Sequence, residues 1–254
     1  MLEDIVVRQL FVALVVFVRV GMAFLNLPGL GEQFVLTQVR LGLALLISVL
    51  VAPVLAPQIP PEPASVLLLA LLLGSEAMIG LFIGTVARML MNALETAGTV
   101  IALVTGLSNA QVFNPAMATQ GTLPGALLGW LGIGLIFITN LHHLLISAVV
   151  DSYVFFPPGQ VPPVEDFANM MAHLVSRSFL VGVQMATPFL ITGLMFALTL
   201  GVISRLAPQT HVFFIFTSIQ IGFGLFLFAL TVSGMMVFWL RDFHGAMVQY
   251  LAVP

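Results

Sequence analysis

The sequence has no cysteine, and its Lys+Arg total of 7 is made up entirely of arginine. Without cysteine there is no thiolate catalysis, no Cys-ligated zinc and no disulfide. Without lysine there is neither the phosphate-holding lysine of a P-loop nor a Schiff base. This chain does not hydrolyse nucleotides by itself. Charge of either sign is scarce: 7% of residues are Asp, Glu, Lys or Arg, where a soluble domain has about 25%. A net charge of −3 with no basic block argues against nucleic acid as a partner. There is no HExxH, and the adjacent His142 and His143 would point about 100° apart on a helix, so no shared metal is expected. No catalytic residue, metal or cofactor is expected.

What fills the 254 residues instead is apolar: 60% are hydrophobic and the mean hydropathy is +1.16. The class is all-α, a polytopic helical membrane-type protein with about six membrane-scale segments. The first run covers 5–27 and ends at the turn cluster "NLPGLG"; its acidic start reads as a retained helix rather than a cleaved signal. The second covers 39–55. After the breaker "APQIPPEPAS" (56–65), the run 64–104 barely stops. Residues 123–150 follow, then the Pro-rich "FFPPGQVPPVED". The runs 167–206 and 212–240 flank the short "APQTH" and form a separable hairpin.

The runs 64–104 and 167–206 would each reach roughly 60 Å as single helices at 1.5 Å per residue, twice the hydrocarbon core of about 30 Å. Each is either a helix pair with a tight turn or one helix leaving the lipid, and Pro188 offers a kink in the later run. An apolar helix outside lipid needs protein on all sides, which points to a large assembly. Arginine placement assigns no orientation.

Glu76, Gly80, Gly84, Arg88 and Asn92 recur every fourth residue, with Glu95 just beyond. Such a row is a packing ridge in which glycines admit another backbone. Glu76, Arg88 and Glu95 are read as candidate buried or intersubunit ion pairs, with a proton-relay carboxylate as the functional alternative. Asn140, His142 and His143 read as a polar knot at a helix end. Gln184 lies one turn before Pro188, where it would re-satisfy a broken turn.

The stretch "GLSNAQVFNPAMATQGT" (106–122) has no charge. Ser108, Asn109, Gln111, Asn114, Thr119 and Gln120 satisfy backbone groups without bringing charge, Phe113 and Met117 are adaptable apolar plugs, and Gly106 and Gly121 bracket the loop as potential hinges. Irregular backbone at membrane depth suits a place that lines a cavity or is buried in protein; an uncharged exterior loop is the alternative. Ser108 as a hydrolase nucleophile would need a base held beside it.

The segments 19–53, "GLFIGTVARMLMNALETAGTVIALVTGLSNA" (80–110), "NLHHLLISAVVDSYVFFPPG" (140–159) and "GVISRLAPQTHVFF" (201–214) together resemble the FliR family of flagellar biosynthesis, whose relatives serve virulence type III secretion. The resemblance covers nearly the whole chain, although His211 stands where the family more often has Asn. It implies an export-gate subunit in the bacterial inner membrane at the flagellar basal body, with much of the protein above the membrane plane. It implies a FliP-like part (1–166) and a FliQ-like hairpin and tail (167–254), built into a helical multi-subunit pore. FliP- and FliQ-family subunits, FlhB- and FlhA-family export proteins, membrane lipid and unfolded protein cargo are the implied partners, and no enzyme activity is implied. The plug that closes the channel maps onto Gly106, Leu107, Ser108, Asn109, Gln111, Val112, Phe113, Asn114, Pro115, Met117 and Gln120. A virulence export subunit and a self-contained secondary transporter using Glu76 and Arg88 are the alternatives.

Overall fold

The computed structural model describes residues 2–108, 121–160, 162–206 and 212–251. These form seven helices: α1 (Leu2–Asn26), α2 (Thr37–Leu55), α3 (Val66–Thr105), α4 (Leu123–Ile138), α5 (Leu141–Phe155), α6 (Val164–Leu206) and α7 (Val212–Leu251). All regular structure among the described residues is helical. Among the described residues, five helices are long and apolar enough to cross a membrane, and the pair α4–α5 makes a sixth span if taken as one.

Local chemistry explains the boundaries. α1 gives way at a turn where Gly29 holds a left-handed φ of 82°, a conformation that glycine adopts without steric cost. The Ser65 hydroxyl accepts the Leu68 N–H at 3.2 Å, an N-cap that starts α3 directly after the proline tract. α3 contains no proline, so it runs 40 residues without a break, about 60 Å at helical rise. α6 carries Glu165 and Asp166 in its first turn and Arg205 in its last, matching the helix dipole at both ends. It continues through Pro188 for 43 residues. Each long run is therefore a single helix rather than a helix pair with a turn. α7 extends to Leu251, past the apolar run that ends near 240.

One apolar run does break. The apolar run 123–150 divides at the polar knot read as a helix end: α4 stops at Ile138 and α5 starts at Leu141, with a 76° bend between them. Asn140 sits at the break with φ 59°, and Asn is among the few residues whose short polar side chain tolerates the left-handed region.

The chain divides into two compact units. The first comprises Met1–Leu90, Ile136–Leu174 and His244–Pro254, and the second comprises Met91–Leu135 and Val175–Phe243. In the first, α1 buries Val12, Val15, Val16, Val20, Ala23 and Phe24, the 3–4 spacing of one helix face. Phe82 stacks on Phe167 with ring centroids 3.7 Å apart. In the second, Leu94, Ile101, Leu128, Phe189, Trp239 and Phe243 are buried.

Candidate functional site

Two places concentrate polar chemistry in this apolar chain: a buried ion pair in the first unit and the two roots of the 106–122 loop in the second.

Arg19 lies on the apolar face of α1, and Glu76 lies on α3. Both side chains are 0% exposed. The guanidinium donates Nε–H to Glu76 Oε2 at 2.7 Å and an Nη2–H to Oε1 at 3.0 Å, a two-pronged, charge-assisted pairing. It also donates to Ser152 Oγ at 3.0 Å and to the Phe156 carbonyl at 2.9 Å. These two acceptors lie at the C-terminal end of α5, where a cation is favoured by the helix dipole. The Tyr153 ring faces the guanidinium carbon at 3.7 Å. A buried charge is tolerable only when paired and hydrogen-bonded, and this cluster meets that condition with groups from three helices.

The glycines of the fourfold row explain the approach. A Cβ on Gly80 would collide with the Arg19 backbone carbonyl, and one on Gly84 with that of Ala23. The α1 and α3 backbones therefore meet along Arg19–Ala23 and Gly80–Gly84, one turn apart on each helix. Arg88, one turn beyond Gly84 on α3, pairs with Glu32 in the turn segment between α1 and α2. Arg40 braces that segment by donating to the carbonyls of Leu30 at 2.9 Å and Glu32 at 3.0 Å. Glu76 and Arg88 thus belong to separate ion pairs. Glu95 is exposed on α3. In the second unit, Arg177 on α6 pairs with Asp242 on α7 at 2.7 Å.

His142 stacks on Phe137, with centroids 5.1 Å apart, and lies 4.2 Å from the His143 ring. Among the described residues, no group of three or more His, Asp or Glu is placed to hold a metal ion.

Of the loop residues, Gly106, Leu107 and Ser108 are described; Asn109, Gln111, Val112, Phe113, Asn114, Pro115, Met117, Thr119 and Gln120 lie outside the described residues. Both bracketing glycines occupy the left-handed region, Gly106 at φ 78° and Gly121 at φ 77°. Upstream, Ser108 N–H donates to Ala102 C=O at 3.1 Å, taking up one of the carbonyls left free at the end of α3. Downstream, the Thr122 hydroxyl accepts Gly125 N–H at 3.2 Å, an N-cap for α4. A Cβ on Gly98 would strike the Gly125 backbone, so α4 starts hard against α3. The Glu95 carboxylate faces Gly121 beside this helix start, where negative charge is favoured.

These features define a polytopic helical membrane protein, pinned by a buried ion pair and with both described ends of the uncharged stretch 106–122 tightly seated. Residues 10–246 match the family model described as bacterial export proteins, family 1. The chain is 38% identical over 231 residues to the flagellar biosynthetic protein FliR of Caulobacter vibrioides, covering 91% of this chain and 92% of that protein. It is 27% identical to the FliR of Bacillus subtilis, over 87% of this chain and 85% of that one. It is 29% identical to the Yop proteins translocation protein T of Yersinia pestis, over 93% of this chain and 91% of that one. The chain belongs to this family of export proteins, and it is an export-apparatus subunit of the type III secretion class.

Proposed function

We propose that the chain is one subunit of a pore-forming export gate that passes unfolded flagellar proteins across the bacterial inner membrane, and that its 106–122 loop closes the channel at rest. The observation that carries this reading is helix length set against burial. α6 spans 43 residues, yet only 11% of its most apolar window is buried by the chain itself; for α7 the share is 17%. A helix of about 65 Å outreaches a bilayer of about 30 Å, so part of its apolar surface needs protein cover. FliP- and FliQ-family subunits are the proposed cover, with FlhB- and FlhA-family proteins as further partners in the basal body and much of the assembly above the membrane plane. In this reading 1–166 is the FliP-like part and 167–254 the FliQ-like hairpin and tail. Pro188 kinks that hairpin, and Glu76, Arg88 and Glu95 serve structure rather than transport. The loop presents amides, small residues and Met to passing cargo, a lining that holds no one segment strongly. Energy comes from outside the chain, because it has no lysine for a phosphate site.

Flagellar cargo is favoured by the 38% identity to the Caulobacter FliR over 91% of this chain. The test is expression alone and together with FliP- and FliQ-family neighbours. The expected result is a single stable complex on co-expression and loss or aggregation of the chain alone. A stable, monodisperse solitary chain with unchanged detergent behaviour would overturn the assembly reading.

A further inference from the structure

The upstream root of the loop rests in a socket built by the two C-terminal helices. The Gln220 side chain on α7 donates Nε2–H to the Val104 carbonyl at 2.6 Å. Val104 is the penultimate residue of α3, so its carbonyl is one of the four that a helix end leaves without an intrahelical partner. Gly224, one turn beyond Gln220, lies against Thr105: a Cβ there would come within 2.5 Å of Thr105 Cγ2 and 2.7 Å of its Cβ. On α6, a Cβ at Gly193 would overlap the Val104 side chain. Thr105 itself is buried, its hydroxyl donating to Ile101 C=O at 2.8 Å. The last turn of α3 is thus gripped from two helices, two residues before Gly106 turns left-handed and the loop begins.

We infer that Gln220 is a positioning residue for the loop, and that Gly193 and Gly224 are the clearances that let it act. An amide is suited to this task in an apolar helix. It supplies a strong donor to a buried carbonyl without a charge, and leaving that carbonyl unpaired would cost more than the bond contributes. Because Val104 and Thr105 are covalently continuous with Gly106, a shift of α6 or α7 at this point moves the loop's root. The α6–α7 hairpin therefore sets where the loop starts, and a partner that displaces the hairpin would displace the root at Gly106. The role of the loop as a channel closure rests on the function proposed above; the socket itself does not.

The chain has no native cysteine, so Ser108→Cys creates a single thiol at the loop root. In the complex co-expressed with its partner subunits, the alkylation rate of this thiol by a small maleimide is compared between the parent and Gln220→Leu. Loss of one hydrogen bond of ordinary strength shifts an opening equilibrium about fivefold, and the rate should rise by that order. Gly224→Ala, which leaves the amide in place but presses on Thr105, should raise it as well. Recovery of the partners in each complex shows that the assembly is intact. Membrane leak is measured in parallel, including a chain lacking residues 110–118. If the deletion leaks while Gln220→Leu and Gly224→Ala leave both the alkylation rate and the leak unchanged, the socket inference is overturned and the closure reading stands. If the alkylation rate rises but the deletion stays tight, the socket stands and the closure reading falls.

Discussion

Replacing Glu76 by Leu would leave the Arg19 guanidinium buried with two of its charge-assisted hydrogen bonds gone. Removing one partner of a fully buried pair costs about 3–5 kcal/mol, because the remaining charge is uncompensated. Arg19→Met should cost a similar amount, since it strands the carboxylate. If the two losses were independent, the double variant would lose roughly 6–10 kcal/mol by the same scale. It should not. Two apolar side chains of similar bulk carry no stranded charge, and what remains is mainly the Phe156 carbonyl, which loses its Arg19 donor. Ser152 keeps a partner, because its hydroxyl also donates to Val149 C=O at 2.6 Å. One unsatisfied carbonyl costs about 1–3 kcal/mol, so the double variant should be no worse than either single one. At roughly 2–4 °C per kcal/mol for chains near this size, each single change lowers the melting temperature by about 6–20 °C. The assay is the temperature at which the chain is lost from its co-purified complex. A double variant whose loss equals the sum of the two singles would refute the argument that the pair is held by mutual compensation.

Gly80→Val should destabilise the chain sharply, since any Cβ there meets the Arg19 backbone carbonyl, whereas Gly74→Ala, with nothing within 4 Å of the added carbon, should be neutral or better in the same melting assay. Arg88→Ala should cost about 1 kcal/mol or less, as expected for a partly exposed pair whose arginine side chain is 41% exposed. Arg8 donates to the carbonyls of Ala56, Ile59 and Pro60; Arg8→Leu should therefore raise amide exchange across residues 55–60 while leaving exchange in α6 unchanged.

The helices were legible because apolar runs and proline clusters are coarse signals, and both are strong here. The length of α3 was half legible. Its length leaves open a helix pair or one long helix, while its glycines at 80 and 84 read as a packing row, and they pack. A helix end at Asn140 is marked by the polar "TNLHH", but the 76° bend there is not, since a single left-handed residue leaves no periodic trace. Arg19 carries no mark in the sequence beyond being one of seven basic residues. It sits at the position of the α1 stripe between Val16 and Ala23, so the stripe itself placed a charge in the core. Gln220 escaped for the opposite reason: an amide in "FTSIQIGFG" carries no charge to flag it. Yet it repeats the pattern of Glu76 with Gly80, a polar side chain one turn before a glycine that another helix packs against. That pairing is readable in sequence once the physical reason for it is known.

The most direct test of the central claim is the ion leak of inner membranes carrying the full co-expressed complex, with and without residues 110–118 of this chain. The account predicts a tight membrane with the intact loop and a measurable conductance to small ions without it, at equal amounts of assembled complex. Equal tightness in both would contradict it.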